Sequence, residues 1–148
     1  MANWVGVLFA WYNGFAAFFA FLLPVMAKRL SRPATHMIAL IAGGFGLISF
    51  YFFGDKNMLI ISMAGIGLAW CSILAMPYSM LTKALPGNKM GVYMGIFNFF
   101  IVIPQILAAT LLGVLTRHLF DGNAIMTIVV GGCSMILAGL LTLRIKDK

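Results

Sequence analysis

Long apolar runs broken by short polar corners organise this chain. Five such runs, at about 4–27, 35–54, 57–81, 90–116 and 124–143, each approach or exceed the roughly 20 residues that cross a hydrocarbon core as a helix. The corners between them, KRLSRPA, GDKN, TKALPGNK and RHLFDGN, are too short to hold a soluble domain. None of the runs shows the alternation of a barrel strand, so each satisfies its backbone internally as a helix. The pattern predicts an all-α membrane protein with five transmembrane helices. The N-terminal MANWVGVLFAW carries neither the basic leader nor the small-residue cleavage site of a signal peptide, so the first run counts as a span.

Composition agrees: 63% of residues are hydrophobic and 9% charged, against roughly 25% charged in soluble domains. The formal charge of +7 does not indicate nucleic acid, because the basic residues form no stripe and sit at the ends of apolar runs. Their distribution sets topology instead. Lys28, Arg29, Arg32, Lys83, Lys89, Arg144, Lys146 and Lys148 fall on one side, and Lys56 and Arg117 on the other. By the positive-inside rule the C-terminus is cytoplasmic and the N-terminus outside, in the inner membrane if the source is bacterial. Cys71 and Cys133 lie inside apolar runs without metal-ligand spacing and read as small packing residues.

An internal echo extends the picture. GVLFAWYN (6–13) and GVYMGIFN (91–98) share a Gly-Val start and an aromatic-Asn end. The copies fall on the first and fourth runs, which cross the membrane in opposite directions. Inverted three-helix repeats of this kind build each six-helix half of the major facilitator fold. Removing the first helix of such a half leaves the corresponding pair as first and fourth of five.

The segments GIGLAWCSILAMPYSMLTKALP and GVYMGIFNFFIVIPQILAATLLG resemble the tenth and eleventh helices of the sucrose transporter-like sugar symporters, relatives of the glycoside-pentoside-hexuronide family in the major facilitator superfamily. The resemblance rests on AMPY at 75–78 and on Asn98 followed by Pro104 and Gln105. It implies that the chain corresponds to helices eight to twelve of a twelve-helix carrier, with the N-terminal half missing. The corner AKRLSRP resembles the superfamily loop G-x-x-x-D-R-x-G-R: Arg29 and Arg32 match, whereas Lys28 stands for the acid and Pro24 and Ser31 for glycines.

Candidate binding residues follow from polar groups at membrane depth, which normally face a bundle interior or a water-filled cavity. Asn98 and Gln105 are seven apart and share one helix face; the alternative is that they bond neighbouring helices. Asn13 occupies the echo position of Asn98. Trp70 and Tyr78 offer rings that stack on a sugar and, respectively, an N–H and a hydroxyl. Gly6, Ala10, Ala17 and Ala20 read as a close-packing stripe, the glycines of GIGLAW, GGFG and GGCS as further close approaches, and Gly91 and Gly95 as packing residues. Ser72 and Ser79 are expected to bond their own helix, and Trp4, Trp11 and Tyr51 to form an outer aromatic belt.

No carboxylate lies inside a run: Asp55 and Asp121 are in outer corners and Asp147 is in the tail. A proton-coupling acid would therefore sit, as the resemblance implies, in helices outside this stretch. No nucleophile–base pair, metal cluster or phosphate loop is present, so neither an enzyme nor a cofactor is expected. The expected function is part of a sugar:proton symporter working by alternating access on a disaccharide or glycoside, its partners being that sugar, the proton, the lipid bilayer and the missing half. A small membrane scaffold, or a carrier of another solute with the same fold, are the competing readings.

Overall fold

The computed structural model describes residues 2–145; Asp147 of the tail and Lys146 and Lys148, two of the cations counted on the basic side, lie outside the described residues. It contains five helices, α1 (Ala2–Leu30), α2 (Arg32–Phe52), α3 (Leu59–Ala84), α4 (Met90–His118) and α5 (Ala124–Thr142), with a 3₁₀ turn at Gly87–Lys89 before α4. All five are long and apolar enough to cross a membrane. They match the expected runs to within a few residues, and the described residues include no strand.

Sharp corners keep the connections short. Ser31 alone separates α1 from α2, in a left-handed conformation at φ 112°. Its hydroxyl accepts from the Ala34 amide at 3.3 Å and its carbonyl from the Thr35 hydroxyl at 2.8 Å, so two groups of the first turn of α2 are satisfied locally. Pro33 follows within that first turn, where no intrahelical N–H is needed. At the opposite end Asp121 and Gly122 both take positive φ, and Asn123 caps α5 by accepting from the Ile125 amide at 3.0 Å.

Helix α2 is the centre of the bundle, packed against α3 on one side and α5 on the other, while α1 lies on α3. Its glycines make this possible. A Cβ on Gly44 would fall 2.7 Å from the Gly132 carbonyl oxygen and 2.5 Å from Ile136, and a Cβ on Gly132 would fall 2.7 Å from the Gly44 carbonyl oxygen and 2.8 Å from Ile48. The contact is reciprocal: GGFGLI (43–48) and GGCSMI (131–136) meet antiparallel, each presenting its second glycine and its isoleucine to the other. Gly46 and Gly65 make equally close approaches between α2 and α3, and Gly67 brings α3 onto Tyr12 and Phe15 of α1. These glycines pack as the sequence suggested.

The small-residue stripe of α1 does not. Gly6, Ala10, Ala17 and Ala20 are exposed, and nothing lies within 4 Å of a Cβ built on Gly6. Helix α1 instead buries Leu8 and Leu23 and lays Tyr12, Phe15 and Ala16 on Gly67. The small residues of α3, not those of α1, admit the close contact, so larger side chains of α1 form its buried face. Gly91 and Gly95 are corrected likewise: both have open space around them, because α4 carries no buried residue along its whole length.

Candidate functional site

Helix α4 touches the rest of the bundle at its two ends. Near its start, Phe97 sets its ring edge-to-face on Tyr78 of α3, with centroids 5.1 Å apart and planes at 79°. Tyr78 donates its hydroxyl hydrogen to the Asn98 side-chain oxygen at 2.9 Å. At the far end Thr116 and Thr127 share a hydroxyl–hydroxyl hydrogen bond that ties α4 to α5. Between these points most of the helix is exposed, with Ile101, Leu112 and Leu115 half-buried, and Gln105 is exposed with no hydrogen-bond partner among the described residues.

Two of the five expected binding residues, Asn98 and Tyr78, are therefore joined directly. Trp70 sits two turns earlier on α3, 44% exposed, its ring 6.2 Å from that of Tyr12 on α1. Asn13 is exposed and turns its amide back to the Phe9 carbonyl, 2.8 Å away in its own helix. Pro104 is accommodated within the continuous helix α4. The chain presents exposed amide and aromatic chemistry at membrane depth on α1, α3 and α4, anchored at one point by the Tyr78–Asn98 bond. That bond holds the Asn98 oxygen, so the side-chain NH₂ remains the donor available to a ligand.

Compared with known proteins, the chain matches no family model, no curated protein and no solved structure.

Ser72 does not bond its own helix as expected. It is fully buried, and its hydroxyl lies 2.8 Å from Nδ1 of His36, itself 8% exposed, across the α2–α3 contact. A buried imidazole needs a partner, and Ser72 is the hydroxyl facing it. Ser49 and Ser62 form a similar bridge between these helices, at 2.6 Å. Serines and a histidine inside apolar runs were the available signal. Trp4 donates its indole N–H to the Lys56 carbonyl at 3.3 Å, with the Lys56 ammonium 5.3 Å above the ring. The described residues include no cluster of three or more metal-ligating side chains.

Proposed function

We propose that this chain is the C-terminal part of a major facilitator sugar:proton symporter, α1–α5 corresponding to helices eight to twelve, sited in the cytoplasmic membrane with the N-terminus outside. The observation that carries the reading is the hydrogen bond from Tyr78 of α3 to the exposed Asn98 of α4, a helix with no buried residue. Asn98 and Gln105, two exposed amides at membrane depth, are costly against lipid. They suit a surface that meets a hydrated cavity and a second body of protein. Rings beside amide donors are also the chemistry that holds a sugar, whose apolar faces stack while its hydroxyls hydrogen-bond.

The helix arrangement supports the same assignment. The reciprocal GGFGLI–GGCSMI contact relates α2 to α5 by a local two-fold across antiparallel helices, the relation expected inside an inverted repeat. Such a repeat would pair α1 with α4, which are both 29 residues long and carry the two copies of the echo. Helix α1 lies on α3. Its mate α4 would lie on the two-fold mate of α3, a helix of the longer carrier, which accounts for its uncovered surface. The coupling acid would belong to that remaining part. Alternating access would rock these helices against the other half around Asn98, Gln105, Tyr78, Trp70 and Asn13.

The test is Asn98→Ala and Gln105→Ala in the transport-competent protein, scored for membrane abundance and for sugar uptake into vesicles. Each substitution leaves a sugar hydroxyl unpaired, a cost of about 1–3 kcal/mol, equivalent to a loss of roughly 5- to 150-fold in apparent affinity or uptake at unchanged abundance. Parallel loss of abundance and uptake would assign the amides to helix association instead. Normal uptake by both variants would remove the binding site from this surface.

A further inference from the structure

At the end of the bundle that carries the corners 53–58 and 119–123, the helices enclose a cavity of about 480 Å³. Local structure explains why the helices do not close over it. Helix α1 is held at two points: Trp4 is tied to Lys56 by its indole hydrogen bond and by the ammonium over its ring, and Tyr12 lies against Gly67 of α3. Between these points α1 presents Val5, Leu8 and Phe9 to the cavity, which Phe50 of α2 and Met63 of α3 also line. The rings of Phe9 and Tyr12 meet edge to face with centroids 6.1 Å apart and stiffen the α1 wall. Leu8 and Met63 are buried and form the floor, whereas Val5 and Phe9 are exposed and form the mouth.

The lining selects the class of ligand. Among the described residues that line the cavity, the Tyr12 hydroxyl is the only side-chain oxygen or nitrogen, so a polar solute would lose its hydrogen bonds there. Apolar cavities take up apolar ligands rather than water. From Val5 to Tyr12 the cavity follows α1 for about 10 Å, at roughly 1.5 Å per residue. It is therefore elongated along the helix axis, the direction in which acyl chains run beside a spanning helix. Its volume is within the range of small-ligand sites, about 300–1,000 Å³. A further helix fits less well. The helix crossings of this bundle run over glycines, such as Gly44 against Gly132 and Gly46 beside Gly65, and no glycine lines the cavity among the described residues. Bulky side chains with room between them suit a flexible chain that adapts to their shape.

Charge at the mouth identifies the rest of the ligand. Lys56 is exposed and held over Trp4, the neighbour of Val5. Asp55 beside it accepts instead from the Asn57 backbone amide at 3.0 Å and the Asn57 side chain at 3.3 Å. The Lys56 ammonium therefore has no ion pair among the described residues. A tryptophan and a lysine at the end of a span lie at headgroup depth, and an ammonium there suits a phosphodiester. We propose that this cavity binds one acyl chain of a membrane phospholipid, with the phosphate of the same lipid on Lys56. No described residue of α4 lines it, so the site is separate from the surface around Asn98 and stands whether or not the chain belongs to a sugar carrier.

The experiment uses the purified 148-residue chain in detergent micelles with dioleoyl phosphatidylcholine as the probe. Retained lipid is counted by native mass spectrometry, and thermal unfolding is followed by circular dichroism. Glycerophosphocholine, the same headgroup without chains, is the control ligand. Val5→Trp plugs the mouth at a position 54% exposed, and Val7→Trp, at a position 37% exposed on the same helix and outside the lining, is its matched control. The parent chain is expected to retain the lipid and to unfold at a higher temperature in its presence. Val5→Trp should bind about tenfold more weakly, equivalent to roughly two methylene groups withdrawn from apolar contact. Lys56→Ala should bind about two- to fivefold more weakly, and Val7→Trp should match the parent. The proposal is overturned if glycerophosphocholine stabilises the chain as the lipid does, if Val5→Trp retains lipid as Val7→Trp does, or if Lys56→Ala binds as the parent. A dimer that Val5→Trp dissociates, with no lipid retained, would also overturn it and give the cavity to a second copy of the chain.

Discussion

Ser31 shows what a single residue contributes at the tightest corner of the chain. Its φ of 112° is a conformation that glycine adopts freely and serine does not, and such strain costs on the order of 1–3 kcal/mol. Its hydroxyl returns part of that by capping Ala34. Because replacing a serine cap with glycine loses only a few tenths of a kcal/mol while alanine loses about 1, the two effects have separable signs. Ser31→Gly should raise the thermal unfolding temperature of the purified chain, and Ser31→Ala, which keeps the strain and loses the cap, should lower it. A destabilising glycine would show that the corner is not strained, and a stabilising alanine that the hydroxyl is not a useful cap. The KRLSRPA corner was legible as a break between apolar runs, whereas its narrowing to a single residue at Ser31 was not. The partner of Ser72 was not: a serine inside an apolar run offers its hydroxyl equally to its own helix and to a neighbour, and the choice depends on where His36 arrives.

At the scale of elements, apolar length fixed the existence and ends of the helices, because only a helix satisfies a long apolar backbone in lipid. Which faces meet was less legible. Glycine pairs such as Gly44 and Gly132 were recognisable as close approaches, yet Gly6 and Gly95 have the same local appearance and touch nothing. A small residue permits contact without supplying the partner. The two groups should respond oppositely to one methyl group. Gly→Ala in an uncrowded helix stabilises by about 1 kcal/mol, so Gly95→Ala should be neutral or stabilising. At Gly44 or Gly132 the same methyl would press on a backbone carbonyl at 2.7 Å that has no rotamer to yield, and overpacking costs about 1–3 kcal/mol. Unfolding of the three variants in detergent, followed by circular dichroism, measures the difference. Equal effects at Gly44 and Gly95 would mean that the α2–α5 crossing is not close-packed.

For the molecule as a whole, the candidate site was legible in part for a related reason. Asn98 and Gln105 stand out because amides are rare in an apolar run, but the Tyr78 hydroxyl that meets Asn98 lies twenty residues away on another helix, and only the α3–α4 crossing brings them together. Orientation connects these features. If Lys28, Arg32 and Lys83 lie on the cytoplasmic side, α1 starts outside and α4 inside, as the proposed correspondence with helices eight to twelve requires. A reporter active only in the cytoplasm should then function when inserted at 86–89, before α4, and fail at 120–123, before α5. The reverse pattern would break the proposed correspondence with helices eight to twelve, since five crossings from an inside N-terminus cannot begin at an even-numbered helix of a carrier whose two ends are both cytoplasmic.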